Sequence, residues 1–123
     1  MILYCDGYTI GNNPSLTGGG FVVSDEKGNV LSQEELLRPM TCNEAELLGI
    51  LRATELADYD SDIYTDSLCA FCWAKNGKCK ARPDLSAKAK RCSEYIYTKR
   101  LYLHQIPREE NVAGIYIEKV LCR

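Results

Sequence analysis

Three acidic residues occupy positions from which carboxylates can be brought to one shared site. Asp6 follows a short apolar run, Glu46 lies in a segment with helical spacing, and Asp66 follows a second apolar run. The pattern predicts that both aspartates lie at strand ends, where a buried core gives way to solvent. Side chains delivered to such positions can converge, so the sequence predicts a site for a divalent metal ion.

The chemistry of that site follows from its charges. Two like charges about 4 Å apart repel by about 4 kcal/mol at an effective dielectric constant near 20, and a divalent cation removes this repulsion. Oxygen ligands without histidine or thiolate favour Mg²⁺ or Mn²⁺, and proteins commonly share Mg²⁺ with substrate phosphates. The predicted chemistry is therefore phosphoryl transfer.

Glu46 also has a simpler explanation. Asn43 is a good N-cap for a helix over residues 43–58, and Glu46 then stands at the third helical position, as in a capping box. A glutamate in a capping box stabilises the helix start and needs no catalytic role. Both interpretations remain open from the sequence.

The rest of the pattern predicts the order β-β-β-α-β-α-α-β-α. The first three strands form an antiparallel meander, with Asp6-Gly7 predicted as the turn after the first strand. This alternation predicts an α/β fold, a mixed sheet with helices on its faces. The predicted strands are 2–5, 21–23, 30–32, 62–65 and 101–106, and the predicted helices are 43–58, 68–76, 85–97 and 109–122.

Length and composition limit the class of protein. The chain has 123 residues, which suits a single domain over residues 1–123. No apolar stretch approaches the roughly 20 residues that span a bilayer, and the N-terminus has no basic segment followed by a cleavable apolar one. We therefore expect a soluble cytoplasmic protein without a membrane partner.

Cysteine and histidine supply no clear metal site of their own. The seven cysteines are an odd number scattered through apolar or helical stretches, which favours reduced thiols. Cys69, Cys72 and Cys79 could bind zinc, but no second pair completes a tetrahedral set. The single histidine, His104, is expected on the face of the last strand.

Basic residues concentrate in one part of the chain. Residues 75–100 contain nine lysines and arginines against two acidic residues, although the whole chain has a net charge of −2. This stretch is either a solvated helix face or a surface that binds phosphates, with nearby aromatic residues such as Trp73 and Tyr95 adding contacts.

The motifs, taken in order and spacing, resemble ribonuclease H of the type I class over essentially the whole chain. Each motif is weak alone, and together they are specific. They are Tyr4-Cys5-Asp6-Gly7, Gly11-Asn12, Gly18-Gly19-Gly20-Phe21, Thr41-Cys42-Asn43-Glu44-Ala45-Glu46 and Tyr64-Thr65-Asp66-Ser67. The resemblance implies a ribonuclease H-like fold, a five-stranded mixed sheet of three antiparallel and two parallel strands with helices on both faces.

The resemblance also implies an activity and a site. The family cleaves the RNA strand of RNA/DNA hybrids, and Asp6, Glu46 and Asp66 match its catalytic, metal-binding carboxylates. We expect Mg²⁺ or Mn²⁺ as cofactor, two ions in number, an RNA/DNA hybrid as partner and a monomeric enzyme. The expected substrate-binding residues are Gly7, Asn12, Thr41, Asn43, Ser67, Lys78, Lys80, Arg82 and Arg108.

The chain departs from the family near the last helix. The family usually supplies a fourth carboxylate there, and Gly114 or Ile115 stands at its place. Asn111, Glu110 and Glu118 are candidates to compensate, because Asn111 and Glu118 lie about one helical turn from position 115 on the same face. Of these, we expect Asn111 or Glu110 to approach the second metal ion. Two alternatives follow, a weakly active or inactive nucleic-acid-binding module and a nuclease of the same superfamily that acts on DNA.

Overall fold

The computed structural model describes residues 1–123 and contains five strands and four α-helices. The strands are β1 Ile2–Thr9, β2 Gly19–Asp25, β3 Val30–Leu36, β4 Asp62–Thr65 and β5 Tyr102–Gln105. The helices are α1 Cys42–Leu56, α2 Leu68–Asn76, α3 Ser86–Thr98 and α4 Val112–Tyr116. The predicted order of elements is confirmed.

The five strands form one mixed sheet in the order β3-β2-β1-β4-β5. β1, β2 and β3 pair antiparallel, while β4 pairs parallel to β1 and β5 pairs parallel to β4. Two strands that pair parallel need a long crossover connection between them. α1 lies in the connection that leads to β4, and α2 and α3 lie in the connection from β4 to β5. The predicted five-stranded mixed sheet is confirmed.

Helices cover both faces of the sheet. The larger hydrophobic cluster lies under α1, α2 and α3 and includes Leu3, Ile50 and Ile63. A smaller cluster on the opposite face joins Tyr8 of β1 to Ala113 of α4. None of the helices combines the length and the apolar character that crossing a bilayer requires.

β1 is longer than predicted, and the predicted turn at Asp6-Gly7 is wrong. Asp6 pairs with Val22 and Gly7 with Phe21, in a ladder with β2 that continues to Thr9. An Asp-Gly pair favours a turn only where no neighbouring strand pairs with it, and here β2 supplies that neighbour along the whole of β1.

α1 begins earlier than predicted, and the Asn43 N-cap is wrong. Thr41 is the N-cap, and its side chain accepts a hydrogen bond from the backbone N–H of Glu44 at 3.2 Å. Glu44 therefore holds the third helical position, and Glu46 lies in the second turn. The capping-box explanation of Glu46 does not apply to this helix.

The last helix differs most from its prediction. Residues Arg108–Glu110 form a 3₁₀ turn, Asn111 caps α4 with its side chain, and Ile117–Leu121 form a π-helical turn. Glu109 and Glu110 thus precede the N-cap and lie outside the helix. A 3₁₀ turn therefore separates Pro107 from α4, and the acidic residues in the sequence do not indicate this turn.

The seven cysteines are free thiols with different exposures. Cys5, Cys79 and Cys92 are buried, while Cys72 and Cys122 are exposed. His104 lies in β5, where it hydrogen-bonds to Asp62 at 2.8 Å and stacks on Tyr64. These contacts agree with the expected strand-face position of His104.

Candidate active site

Asp6, Glu46 and Asp66 converge at the centre of the sheet. One carboxylate oxygen from each lies within 4.8 Å of the other two. Asp6 and Glu46 are 8% and 5% exposed, and Asp66 is half-buried. Three acids that are 40 and 20 residues apart in sequence therefore form one compact cluster.

The sheet creates the opening that these side chains share. The parallel pairing of β1 with β4 ends at Tyr4 and Tyr64, whereas β1 continues to Thr9. Asp66 follows the last residue of β4, so it faces the part of β1 that has lost this neighbour. The prediction that Asp66 follows a strand end is confirmed. The same prediction for Asp6 is wrong, because Asp6 lies inside β1 and borders the opening only where the pairing with β4 has ended.

Gly7 brings α1 to the same point. A Cβ atom at residue 7 would collide with the backbone of Ala45 and Glu46. The absence of a side chain lets the backbones of β1 and α1 touch, which carries the Glu46 carboxylate to Asp6. One strand glycine thus sets the distance between two of the three acids.

Burial makes the ionised forms of these acids costly. It raises the pKa of the Asp6 carboxyl to about 6, opposed by a hydrogen bond from Glu46 and strengthened by the charge of Asp66. Burial, and then the charge of Asp6, hold the pKa of Glu46 well above its usual value. Burial also raises the pKa of Asp66, against a hydrogen bond from Asn111. Burial therefore favours the protonated forms of these acids, and a bound cation would favour the ionised forms.

The donor set fits a divalent cation with a preference for oxygen. All three side chains offer carboxylate oxygens, and the Glu46 Oε2 atom is buried without a hydrogen-bond partner. A buried acceptor without a donor costs about 1–3 kcal/mol, and a cation in the cluster satisfies it. Mg²⁺ and Mn²⁺ bind such all-oxygen sites.

Asn111 is fully buried behind the cluster. Its Nδ2 atom donates to the backbone oxygen of Cys5 at 2.9 Å and to the Asp66 Oδ2 atom at 3.1 Å. Its Oδ1 atom accepts from the backbone N–H of Ala113 at 3.1 Å. The amide nitrogen faces Asp66, so in this arrangement Asn111 orients a carboxylate.

The two residues at the place of the family's fourth carboxylate face different ways. Gly114 is buried, and a Cβ atom built on it would lie 2.8 Å from the Asp6 Oδ2 atom. Ile115 is 42% exposed. Position 114 is therefore the one that faces the cluster, and it has no side chain.

A cleft of about 180 Å³ runs from the cluster along β1 to the C-terminal turn. Asp6 lies on its floor, Gly114 and Glu118 are on one side, and Arg108 lines it as well. Glu110, a candidate for metal binding, is exposed and does not line this cleft.

Cys42 is a residue of the cleft that the sequence analysis did not single out as part of the site. It is half-buried, lines the cleft with Asp6, and its thiol pKa is raised by burial and by the charges of Asp6 and Asp66. Cys42 stands four residues before Glu46, which places both on one helix face. The four-residue spacing between Cys42 and Glu46 is the sequence signal that indicates Cys42 as part of the site.

The expected substrate contacts surround the start of α1. Thr41 caps this helix, Asn43 is exposed in its first turn, and Ser67 caps α2 directly after Asp66. Gly7 lines the cleft, and Asn12 is exposed in the loop between β1 and β2. The Asn13 side chain accepts a hydrogen bond from the Cys42 N–H, which fixes this loop beside α1.

The basic stretch divides into paired and unpaired residues. Arg82 forms ion pairs with Asp84 at 2.8 Å and with the buried Glu44 at 3.4 Å, and it reaches Thr41. Lys99 donates to three backbone oxygens at the end of α1. Lys78 and Lys80 form no ion pair and line a groove beside Trp73. Lys78 and Lys80 therefore place unpaired positive charge in the segment before Arg82.

Two arginines line the cleft, Arg108 and Arg123, and Arg123 is paired with Glu35 at 3.1 Å, so the less firmly paired cation is Arg108. Its side chain is 80% exposed, and its one ion pair is with Glu118 at 3.6 Å. Its positive charge lowers the pKa values of Asp6 and Asp66, in opposition to burial. Arg108 is thus close enough to the acidic cluster to act on its charge.

A family model and several solved structures match the chain. The family model described as RNase H matches residues 1–118. LC11-RNase H1, isolated from compost by a metagenomic approach and solved in complex with an RNA/DNA hybrid, is 29% identical with a TM-score of 0.63. That alignment covers 89% of this chain and 87% of the other. Sequence comparison with curated proteins finds no match.

Two further structures are similar in fold at lower identity. RNase H1 from the halophilic archaeon Halobacterium salinarum NRC-1 is 22% identical with a TM-score of 0.69, over 99% of this chain and 98% of the other. The N-terminal RNase H domain of rv2228c from Mycobacterium tuberculosis is 23% identical with a TM-score of 0.67, over 91% and 90%. These structures thus share the fold of this chain.

Proposed function

This chain belongs to the ribonuclease H family, and from that premise we propose that it is a metal-dependent endonuclease that hydrolyses the RNA strand of RNA/DNA hybrids. The observation that carries the proposal is the cluster of Asp6, Glu46 and Asp66, with the buried and unpartnered Glu46 Oε2 atom among them. LC11-RNase H1, solved with a hybrid, is a relative of similar length and fold.

We propose that the three carboxylates hold Mg²⁺ or Mn²⁺, with two ions as the expected number. When bound, such ions activate water and stabilise the leaving 3′ oxygen. Water attacks the phosphorus atom, the bond from phosphorus to the 3′ oxygen breaks, and the products carry a 3′-hydroxyl and a 5′-phosphate. Asn111 keeps Asp66 in place during this reaction, as its hydrogen bond to Oδ2 supports.

We propose that the start of α1 recognises the hybrid. Gly7, Asn12, Thr41 and Asn43 would contact the minor groove, where the 2′-hydroxyl distinguishes RNA from DNA. Ser67 lies next to Asp66 and would position the strand there. Arg108, Lys78 and Lys80 would bind phosphates, and Arg82, held by Glu44 and Asp84, would hold the basic segment against α1.

The proposal is tested by incubating a labelled hybrid with the protein and Mg²⁺ or Mn²⁺. We expect cleavage within the RNA strand, loss of cleavage on chelation, and a loss of at least about 10³-fold in the Asp66→Asn variant, because a metal ligand is removed. Circular dichroism serves to check that this variant is folded. A hybrid that stays intact with Mn²⁺ and excess protein contradicts the proposal.

Gly114 favours a second candidate, a module that binds hybrids with weak or no catalysis. If one ion is held poorly, hybrid binding remains in a gel-shift assay while cleavage is absent. A third candidate, a nuclease that acts on DNA, is separated by comparing hybrid, duplex DNA and branched DNA in the same reaction. The expectation that Glu110 or Asn111 binds metal stays a prediction, and the hydrogen bonds of Asn111 support an orienting role.

A further inference from the structure

The side of the cleft next to Asp6 lacks a carboxylate from residue 114. Gly114 packs so closely that its missing Cβ would lie 2.8 Å from the Asp6 Oδ2 atom. A side chain at this position would require the Asp6 carboxylate to shift, and glycine itself offers no ligand atom. Any further ligand on this side must therefore come from another residue that lines the cleft.

Glu118 is that residue. It stands four residues after Gly114, so it lies one turn further on the same side, and it lines the cleft that contains Asp6. It belongs to the π-helical turn Ile117–Leu121, and π-helical turns are frequent at functional sites. Among the acidic residues outside the cluster, Glu118 alone lines this cleft.

The present partner of Glu118 is weak. The Glu118 Oε1 atom lies 3.6 Å from a guanidinium nitrogen of Arg108, and the two side chains are 59% and 80% exposed. Exposed ion pairs contribute about 0–1 kcal/mol. The carboxylate can leave this pair at little cost, whereas turning the fully buried Asn111 amide towards an ion would break its three hydrogen bonds.

One buried oxygen of the cluster also has no hydrogen-bond donor or cation beside it. The Glu46 Oε2 atom is buried and has no donor, and it belongs to the same group of carboxylates as Asp6. This unpartnered oxygen indicates that a cation belongs in the cluster, independently of Glu118. A cation held there by Asp6 lies at the end of the cleft that Glu118 lines.

We propose, resting on the proposed function, that Glu118 supplies the remaining carboxylate of the metal site. A divalent ion at Asp6 takes the place of Arg108 as the partner of Glu118. The acidic side chain that the helix lacks at position 114 is thus provided one turn later, from the π-helical turn.

Metal binding to the metal-free protein tests this directly, without any nucleic acid. We expect isothermal titration with Mn²⁺ to show an affinity at least about 10-fold lower for Glu118→Gln than for wild type, the range found when groups around a metal are removed. Glu94→Gln is the matched control, because Glu94 is an exposed glutamate of α3 with the same charge that does not line the cleft of Asp6. Its Mn²⁺ affinity should equal that of wild type.

Arg108→Gln separates metal binding from a merely structural ion pair. This variant also breaks the Arg108–Glu118 pair, so a structural role predicts the same loss of Mn²⁺ affinity as in Glu118→Gln. We expect instead that Arg108→Gln binds Mn²⁺ at least as tightly as wild type, because a competing cation is removed. Equal losses in the two variants overturn the inference.

The outcome distinguishes this inference from the proposed function. If wild type binds Mn²⁺ and cleaves hybrids, and Glu118→Gln binds Mn²⁺ with unchanged affinity and stoichiometry, only the role of Glu118 is refuted. If wild type neither binds Mn²⁺ nor cleaves a hybrid, both proposals fall. Circular dichroism establishes that the exposed substitutions leave the fold intact.

Discussion

At the scale of single residues, Asn111 links three parts of the molecule through one buried amide. It joins the backbone of β1 at Cys5, the carboxylate of Asp66 and the first turn of α4. The Cys5 oxygen lies where β1 has lost its parallel neighbour, so the amide replaces a missing strand partner. Loss of this side chain should disturb both the fold and the site.

Asn111→Ala should therefore lower the free energy of unfolding by about 1–3 kcal/mol, since it leaves a buried backbone oxygen without a donor. It should also reduce hybrid cleavage under conditions where the variant is folded, because Asp66 loses its orienting bond. Urea unfolding measures the first effect, and steady-state kinetics measures the second. Asn76→Ala, at an exposed helix end, is the control, and equal unfolding energies for the two variants would contradict the assignment.

At the scale of elements, the contact between β1 and α1 fixes the position of Glu46 relative to Asp6. The contact depends on Gly7, whose Cβ position is taken by the backbone of Ala45 and Glu46. No packing of side chains separates the two elements at this point. The Asp6–Glu46 distance is thus set by a contact between two backbones.

Gly7→Ala should push β1 and α1 apart. We expect a loss of about 1–3 kcal/mol in the free energy of unfolding from overpacking, together with weaker Mn²⁺ binding because Glu46 moves away from Asp6. Gly28→Ala is a useful comparison, since Gly28 has a positive φ of 87° in the β2–β3 turn and its Cβ position would meet only Val112 Cγ1, at an ordinary contact distance of 3.8 Å. That variant should lose about 1 kcal/mol from backbone strain and bind Mn²⁺ normally; a normal affinity in Gly7→Ala as well would refute the role of Gly7.

The elements also show which parts of the fold the sequence could reveal. The strand and helix order, and the convergence of Asp6, Glu46 and Asp66, were predictable because they depend on periodic patterns and on where β4 ends. The extent of β1 and the start of α1 were not, because the β2 ladder and the Thr41 cap decide them. The Asn111 bonds were also hidden, since a buried amide leaves no periodic signal.

At the scale of the whole molecule, positive charge is unevenly distributed around an acidic centre. Four of the nine cations of residues 75–100 are held by acidic groups or by backbone oxygens at the end of α1. Lys78 and Lys80 remain free beside Trp73. The three other lysines of this stretch also lack an ion pair, but only Lys78 and Lys80 line this groove, so we expect these two to contribute most to nucleic-acid affinity here.

Lys80→Ala should weaken hybrid binding and make it less sensitive to salt. Each lost phosphate contact lowers the slope of log affinity against log salt concentration by about 1. Fluorescence anisotropy at several salt concentrations measures the slope, in an Asp66→Asn background that leaves the hybrid intact. Lys27→Ala, in the turn between β2 and β3, removes the same charge elsewhere, and an equal change in its slope would show that only net charge matters.

The raised pKa of Asp6 predicts how stability depends on pH. Between the ordinary value of 3.8 and about 6, the folded state holds a proton that the unfolded state releases. The free energy of unfolding of the metal-free protein therefore falls as pH rises through this window, by an amount on the order of 2–3 kcal/mol. Below pH 3.8 this contribution is fully present.

Thermal unfolding of wild type and Asp6→Asn across pH 3.5–7 checks this prediction, because the variant lacks the titrating group. The stability of wild type minus that of Asp6→Asn should decline as the pH rises toward 6. It should recover when Mn²⁺ is added, since the ion is expected to bind only the folded state. A difference that rises with pH in the metal-free protein would reverse the sign and refute the assignment.

The buried Cys5 thiol can report how often the protein opens locally around it. Burial, and then the charge of Glu46, raise the pKa of this thiol, so it resists alkylation in the closed protein, while Cys72 and Cys122 are exposed. Once the two exposed thiols are blocked, the rate at which Cys5 is alkylated reports how often the sheet parts beside the acidic cluster. Mass spectrometry of alkylated Cys5 can measure this local opening with no added dye.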